Sequence, residues 1–432
     1  MNICHICDFL PHFHDHSGGA EYAAYRLMQL EQQRGHDVWA ITSSFDHEHR
    51  SPFPVHQATT LRDALGDRFQ LYLNGIKWYL LQWDPLANRR VRALLHDLQP
   101  KLVHFHNVQF LGLSLVPLVR RLGIPSCLTI YDYWYFCPLT SLMRATGEIC
   151  RSRQGLGCDA CVPQPFKTIQ LLLLPIRRLI FERYLRQVPA FLVLSHSSRR
   201  ILEGYGHGSK MIEIAHLVLD KGKWADPGEP GQGPILVYVG WVQKRKGLHV
   251  LLEAMPRILA EHPDAELHVL GGESQWQDEY PQKMREMAAA KGLDGSVLFL
   301  GKVPHGKVME TLGRARVVVV PEQWENMSPV IVAEAMLMGR PVVGSRVGGI
   351  PEFIRDGETG FLVNMDDAGG FAHRVNTLLA DYDLCRRMGA KAREEAVKIF
   401  DEEKILDTVE AFYGGLIDRH QAALHPRGRL TE

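Results

Sequence analysis

The chain has 432 residues, and its 49 lysines and arginines balance 49 aspartates and glutamates. This length allows two domains of ordinary size, each with its own core, and the neutral balance gives no indication of a nucleic-acid partner or of a strongly acidic one. Eight cysteines are too few for a disulfide framework in so long a chain and favour reduced thiols, as in a cytoplasmic protein.

The N-terminal sequence MNICHICDFLPHF lacks the basic segment that opens a signal peptide. No stretch of the chain reaches the ~20 apolar residues that a membrane span needs. We therefore expect a cytoplasmic protein, and peripheral contact with the inner face of the membrane stays compatible with that expectation.

Strands and helices alternate over residues 1–215. Met1–Cys7 is predicted to be a strand, Gly19–Arg34 an amphipathic helix and Asp37–Thr42 the next strand. Because repeated strand–helix–strand units build parallel sheets through right-handed crossovers, this part of the chain is predicted to form a Rossmann-like domain.

Two strand ends in this domain carry residue types that suit a ligand site. Gly18 and Gly19, after the first strand, would let the backbone approach a ligand closely, although such pairs also occur in simple turns. The strand Lys101–His106 ends at the edge where open α/β sheets bind ligands. His106 is interpreted either as part of that edge or as a core histidine bonded to the backbone.

Four cysteines follow the next predicted strand within a loop-like insertion, residues 137–161: Cys137, Cys150, Cys158 and Cys161. The last two form a CxxC pair, so a structural zinc ion bound by all four thiols would hold this segment together. Free, partly buried thiols are the alternative interpretation.

The segment Phe166–Val188 is apolar with interleaved arginines. An interfacial helix on an anionic bilayer would have this pattern and would suit a lipid-linked acceptor. A helix packed on the sheet with solvated arginines explains the pattern equally, and we favour it.

A change of composition marks the second domain. Residues 216–234 are rich in glycine, proline and charge and are predicted to be a linker to a domain over residues 235–400. The strand Ile235–Val239 is followed by Gly240 and a basic loop that ends in Lys246. A basic loop between a strand and a helix favours anion binding over a merely solvated turn.

The stretch Val317–Glu352 has the strongest functional signature of the chain. Four valines predict a buried strand, and Ser328 and Pro329 are predicted to be the N-cap and first-turn residues of a helix over Val330–Met338. The free N–H groups and positive dipole end at such a terminus suit a diphosphate.

Glu334 is the one carboxylate in this otherwise apolar helix. A buried carboxylate without a partner is too costly to be incidental, so Glu334 is expected to meet a hydrogen-bond donor. It follows the helix start by about one turn, where the ribose of a nucleotide would present two hydroxyls.

The segment WENMSPVIVAEAMLMGRPVV, followed by GGIPE and DGETGFLV, resembles the donor-binding core of retaining glycosyltransferase family 4, and the resemblance extends in weaker form over most of the chain. It implies the GT-B fold, an α/β architecture of two Rossmann-like parallel-sheet domains facing across a cleft. Residues 401–432 would form a C-terminal helix, which crosses back to the first domain, and a tail.

The same resemblance implies a donor site. A UDP- or GDP-sugar would be held by Gly18, Gly19 and Gly240, by Lys246, and by the helix start Ser328, Pro329 and Val330, with Glu334 on the ribose. The chain departs from the family at Trp241, which stands where an arginine is usual, so Lys244 or Arg245 would have to supply the second cation.

Three further positions follow from the resemblance. The first glutamate of the family motif is expected eight positions before Glu334, where Asn326 stands, so either Glu325 or Asn326 contacts the donor sugar. On the acceptor side Asp132 is kept, together with His106, whereas Tyr131 replaces a histidine.

The implied function is the retaining transfer of a sugar to a hydroxyl acceptor in the synthesis of a cell-surface polysaccharide or glycoconjugate. Catalysis is expected to require no cofactor. The acceptor would include lipid-linked saccharides. The alternatives are a non-catalytic GT-B subunit and a GT-B phosphorylase or epimerase, because Trp241, Tyr131 and Asn326 all depart from the family pattern.

Overall fold

The computed structural model describes residues 1–15, 18–65, 75–144, 146–158, 161, 167–220, 228–272 and 279–424. Parts of the predicted linker, of the cysteine-containing insertion and of the C-terminal tail therefore lie outside the described residues. The described chain forms two separate sheets, and every strand pair in both is parallel.

The first sheet has seven strands: β1 Asn2–Ile6, β2 Asp37–Thr42, β3 Val55–Gln57, β4 Leu102–Phe105, β5 Ser126–Ile130, β6 Ala190–Val193 and β7 Met211–Ile214. Their order is β3-β2-β1-β4-β5-β6-β7, so the direction of winding reverses between β1 and β4. The central strands are fully buried because helices cover both faces of a parallel sheet.

The second sheet has six strands: β8 Ile235–Val239, β9 Glu266–Leu270, β10 Val297–Gly301, β11 Val317–Val320, β12 Val342–Ser345 and β13 Gly360–Val363. Their order is β10-β9-β8-β11-β12-β13, and winding reverses between β8 and β11. Ligands of open α/β sheets bind at the carboxyl ends of the strands where winding reverses. Each sheet therefore has one crevice of this kind.

Helices connect the strands. In the first half they are Gly19–Gln33, Leu61–Leu65, Pro85–Leu98, Leu115–Arg121, Lys167–Leu185 and His196–Leu202. In the second half they are Leu248–Glu261, Tyr280–Ala290, His305–Arg314, Val330–Leu337, Ile350–Phe353, Ala368–Ala380, Tyr382–Ile399 and Glu402–Leu424. The described residues also contain two π-helical turns, Gly75–Leu81 and Glu203–His207, and two 3₁₀ turns, Leu156–Cys158 and Lys244–Lys246.

The last helix, Glu402–Leu424, returns to the first domain as predicted. Arg26 binds Glu402 through two hydrogen bonds of 2.8 and 3.0 Å, and Arg34 forms ion pairs with Glu403 and Asp407. Tyr413 is fully buried against the first sheet. These contacts join the end of the chain to its beginning.

Candidate functional site

The two crevices meet where the first helix of one domain faces a helix start of the other. Gly19 begins the helix Gly19–Gln33, and a Cβ atom there would lie 2.9 Å from Val330 Cγ2. Val330 is the first residue of the helix Val330–Leu337. Only a residue without a side chain allows this approach, so the structure brings together the predicted glycine pair and the predicted helix end.

Lys246 lies in the 3₁₀ turn Lys244–Lys246 that follows β8. Its Nζ is 2.6 Å from Glu322 Oε1, and Glu322 is 2 % exposed. The turn is fixed by Gly247, which has a φ of 74° and whose Cβ would lie 1.7 Å from the carbonyl oxygen of Pro321. The predicted cation is therefore held in place at the end of β11 by a buried carboxylate.

Glu322 is a site residue that sequence reasoning missed. It comes directly after β11 and Pro321, at the carboxyl end of a strand where winding reverses, and that position was the available signal. Its second oxygen accepts a hydrogen bond of 2.6 Å from Asn326 Nδ2. One carboxylate thus connects the basic turn to the loop before the helix.

The side chains of Glu325 and Asn326 point to different surroundings. Asn326 is 8 % exposed and is engaged within its own loop, because it donates to Glu322 and accepts from the N–H of Ser328 at 3.3 Å. Glu325 is partly exposed and accepts from Ser197 Oγ of the first domain at 3.3 Å. The Glu325 carboxylate therefore faces the opposite wall of the cleft.

The helix start differs from the prediction in one respect. Pro329, not Ser328, is the N-cap residue, and no side chain caps the helix. The reason is local: Pro329 adopts the extended conformation of a cap, with φ −69° and ψ 109°, so Ser328 lies one residue before the cap. Val330 and Ile331 then come first in the helix, where N–H groups have no intrahelical partner.

Glu334 meets a donor, as its position required. The side chain is 10 % exposed, and its Oε1 lies 2.9 Å from His305 Nε2, at the start of the helix His305–Arg314. No sequence motif marks His305, which is half exposed. His305 is thus the hydrogen-bond partner that the one carboxylate of this apolar helix requires.

On the first domain, Asp132 follows β5 and accepts a hydrogen bond of 2.9 Å from the N–H of Trp134. Burial raises the pKa of Asp132 to about 6, opposed by that N–H group and by the positive charge of Arg245. Arg245 crosses from the second domain, stacks 4.6 Å from the centre of the Trp324 ring and donates to Thr140 Oγ1 at 3.2 Å. Burial lowers the pKa of Arg245.

His106 and Tyr131 form a pair rather than two separate site residues. His106 is 1 % exposed, so it is a core histidine, and its Nδ1 lies 2.8 Å from Tyr131 Oη. Tyr131 is partly exposed at the end of β5. His106 therefore acts on the cleft only through Tyr131.

One further set of polar contacts joins the two domains, and others lie within each domain. Asp8, which was not predicted, follows β1 and accepts from the N–H groups of Phe110 and Leu111 at 2.8 and 2.9 Å, and burial raises its pKa to about 7. Glu352 of the second domain accepts two hydrogen bonds of 2.7 Å from the first N–H groups of the helix His196–Leu202. Gly240 has a φ of 153° and packs against the Lys246 side chain.

The predicted zinc site is not assembled in the described residues. Cys137, Cys150, Cys158 and Cys161 all have free thiols, and Cys137 is the buried one. Within the described part of the chain, the three histidines His5, His104 and His106 are the one group whose candidate ligand atoms lie within 4.8 Å of one another. Zinc at the four cysteines stays a prediction.

Two family models match consecutive parts of the chain. The model described as Glycosyltransferase Family 4 matches residues 17–220, and the model described as Glycosyl transferases group 1 matches residues 223–395. Together they contain all the site residues described above except Asp8 and His5.

Curated relatives match over part of their length. The chain is 30 % identical over 251 residues to D-inositol 3-phosphate glycosyltransferase of Nocardia farcinica, covering 55 % of each chain. It is 34 % identical over 181 residues to N-acetyl-alpha-D-glucosaminyl L-malate synthase of Bacillus anthracis, covering 41 % of this chain and 45 % of the relative. The chain thus spans about half the length of the curated relatives it matches.

Solved structures match over nearly the whole chain. Sucrose-phosphate synthase from Thermosynechococcus elongatus has a TM-score of 0.71 at 19 % identity, covering 96 % of this chain and 99 % of that one. HepE from Anabaena, in complex with UDP and glucose, has a TM-score of 0.68 at 16 % identity, covering 96 % and 100 %. At these identities the likeness shows the GT-B fold, and the two family models lead to one conclusion: the chain consists of a Glycosyltransferase Family 4 domain in its first half and a Glycosyl transferases group 1 domain in its second half.

Proposed function

We propose that this chain is a retaining glycosyltransferase that moves a sugar from a UDP- or GDP-sugar to a hydroxyl acceptor. The observation that carries the proposal is the approach of Gly19 to the start of the helix Val330–Leu337, to which Lys246 is linked through Glu322 and Asn326. Free N–H groups at a helix start and a fixed cation are the groups that hold a diphosphate. Glu334 lies about one turn further along the same helix, where its carboxylate would accept hydrogen bonds from the ribose hydroxyls.

In this proposal residues 1–215 are the acceptor-side domain, 235–400 the donor-binding domain, and 401–432 the returning helix and tail, with 216–234 as linker. The donor sugar extends from the helix start towards Asp132, with the Glu325 carboxylate beside it. Inter-domain contacts such as Glu325 with Ser197 support a cleft that closes over its ligands and excludes water.

The proposed reaction is a front-face displacement. The acceptor oxygen bonds to the anomeric carbon on the side from which the diphosphate leaves, the carbon–oxygen bond to the phosphate breaks, and the acceptor proton passes to the leaving phosphate. Negative charge develops on the diphosphate, where Lys246 and Arg245 supply positive charge, so no metal ion is required by this scheme. Arg245 supplies the second positive charge, because Trp241 stands where the family resemblance implies an arginine.

Contact with an anionic membrane is part of the proposal. The outward side of the helix Lys167–Leu185 exposes Leu172 (65 %), Ile176 (46 %) and Leu179 (61 %), and the same stripe continues into Arg183 and Arg186. An apolar stripe that ends in arginines suits the boundary between acyl chains and acidic headgroups. A protein bound to the membrane through this stripe would be close to a lipid-linked saccharide acceptor.

Two observations supplement this surface. Trp83 is half exposed, and Leu81 beside it accepts a hydrogen bond of 3.3 Å from Tyr184 at the end of the same helix. Tryptophan favours membrane interfaces. None of the described helices is long and apolar enough to cross a bilayer.

Lys246→Ala tests the catalytic role. Turnover, measured as nucleoside-diphosphate release in the presence of acceptor, is expected to fall about 100- to 1,000-fold because the developing charge loses its cation. Lys291→Ala, which removes a surface pair with Glu253, should leave turnover unchanged. Full turnover in Lys246→Ala would contradict the catalytic role of Lys246. Survival of the cellular function in this variant would favour a non-catalytic GT-B subunit. Release without acceptor would favour the phosphorylase or epimerase alternative.

Glu325→Gln and Asn326→Ala separate the two candidates for the sugar contact. We expect Glu325→Gln to lower kcat about 100-fold with an unchanged melting temperature. Asn326→Ala should instead lower the free energy of unfolding by about 1–3 kcal/mol, because a buried carboxylate oxygen and an N–H group lose their partner. The reverse pattern, a rate loss confined to Asn326→Ala, would assign the sugar contact to Asn326.

The pH dependence of turnover tests Asp132. Because its pKa is raised to about 6, protonation removes the carboxylate acceptor as pH falls through that value rather than near pH 4. We expect kcat/KM to decline below about pH 6 and the acidic limb to disappear in Asp132→Asn. Asp383→Asn on the exposed surface should keep the wild-type profile. A limb that persists in Asp132→Asn contradicts the assignment.

Vesicle sedimentation tests the membrane surface. The wild type is expected to bind vesicles that contain phosphatidylglycerol and to bind phosphatidylcholine vesicles much more weakly, because the arginines require anionic headgroups. Replacing Leu172, Ile176 and Leu179 by glutamine should abolish binding. The matched control replaces Val397 and Leu424 by glutamine. These two apolar residues are exposed outside the helix Lys167–Leu185, so the control should bind vesicles as the wild type does. Equal loss in both variants would exclude this surface.

A further inference from the structure

A line of hydrogen bonds leads from the C-terminal helix to the edge of the cleft. Tyr413 Oη lies 3.1 Å from Glu31 Oε1, and Glu31 Oε2 lies 2.7 Å from His5 Nε2. His5 Nδ1 is 2.9 Å from His106 Nε2, and His106 Nδ1 is 2.8 Å from Tyr131 Oη. We call Glu31, His5 and His106 the histidine relay. All three are at most 1 % exposed.

The sheet builds the relay. His5 on β1 stands in register with His104 on the neighbouring strand β4, so the two side chains share one face of the sheet. His106 follows His104 by two residues and therefore lies on the same face. Polar groups in a sheet core are costly to bury unless they are hydrogen-bonded, and each of the three relay side chains has its hydrogen-bond partners within the core. Packing alone does not require the relay.

The direction of each hydrogen bond follows from its neighbours. Carboxylate oxygens accept hydrogen bonds, so Tyr413 and His5 donate to Glu31. The inferred relay has one proton on each imidazole, so that His5 Nδ1 accepts from His106 Nε2–H, and His106 Nδ1 accepts from the hydroxyl of Tyr131. Burial lowers the pKa of His106 well below its ordinary value, which disfavours a second proton on this ring. Burial raises the pKa of Tyr131, which therefore keeps its proton.

A metal ion at the three histidines is the competing interpretation. The nitrogens of His5 and His106 are all used in the relay, and those of His104 lie 2.6 Å from Tyr413 Oη and 2.6 Å from Thr129 Oγ1. A metal would have to displace hydrogen bonds that already satisfy these buried rings. The geometry therefore favours the relay.

We propose that Glu31, His5 and His106 are positioning residues that fix Tyr131 as a hydrogen-bond acceptor in the cleft. The hydroxyl proton of Tyr131 is directed inward, so the oxygen offers its remaining lone pair to a ligand. Next to it stands Asp132, whose carboxylate also accepts. Such a pair selects a saccharide with free hydroxyls at this place and disfavours its deoxy analogue, which would leave the acceptors unpaired. This inference rests on the proposed transfer function.

Kinetics of single and double variants test the relay. Tyr131→Phe is expected to lower kcat about tenfold with little change in KM for the donor, and Glu31→Gln to do nearly the same because the tautomers are no longer fixed. If the relay acts through Tyr131, Glu31→Gln has no further effect in the Tyr131→Phe background. A merely structural Glu31 would lower kcat by the same factor in both backgrounds, and that result overturns the proposal.

Nitrogen-15 NMR of labelled histidines tests it without any activity. The His106 resonances, assigned by their loss in His106→Asn, should report an Nε2–H tautomer in the wild type and a mixture in Glu31→Gln. An Nδ1–H tautomer in the wild type overturns the proposal, as does about one metal ion per chain that is lost in His106→Asn. The expected tautomer in a protein without transferase activity would support the relay and reject the proposed function.

Discussion

The approach of Gly19 to Val330 holds the two halves of the site in register. A β-carbon at Gly19 would lie 2.9 Å from a Val330 methyl group, which is closer than real side chains come. The contact places the start of one domain's first helix against the N-terminal end of a helix in the other. Every other element of the candidate donor site is arranged around this junction.

Electrostatics then determine what the junction can bind. Lys246 is paired with Glu322, and Glu322 is bonded to Asn326, so the cation is oriented by a short chain of polar contacts. Arg245 lies across the cleft from Asp132 and is stacked on Trp324. In the proposed function these two cations and the helix start would hold a diphosphate, and Glu322 and Asp132 behind them offset part of the positive charge. The same arrangement that holds a diphosphate would stabilise it as it leaves.

The sequence was sufficient for the architecture of two parallel sheets, and the donor site stays a prediction. Parallel sheets followed from buried strands alternating with helices, and Glu334 was expected to meet a donor because it is the one carboxylate of an apolar helix. Its partner His305 could not be foreseen, since the two lie 29 residues apart and only the fold brings them together. The cap at Ser328 was wrong because the extended backbone before the helix includes Pro329, which takes the N-cap position. The edge strand Val55–Gln57 was missed because three residues give no periodicity.

Long-range polar networks are the part that sequence patterns miss. Tyr413 and Glu31 are 382 residues apart, and neither has a local signature. Their contact nevertheless connects the returning helix to the core of the first domain and, through two histidines, to Tyr131 at the cleft. Tyr131 stands where the family resemblance implies a histidine. In this chain its hydroxyl is hydrogen-bonded to the buried histidines and, through them, to Glu31.

Ligand-dependent thermal stability tests the central claim most directly. A nucleotide that binds the folded protein at a hundred times its dissociation constant adds about 2.7 kcal/mol of stability, which is readily measured as a rise in melting temperature. We predict such a rise with UDP or GDP and with at least one of their sugar conjugates, and none with uridine or guanosine, which lack the diphosphate. If no nucleoside diphosphate raises the melting temperature at millimolar concentration, the crevice beside Gly19 and Val330 is not a nucleotide-sugar site.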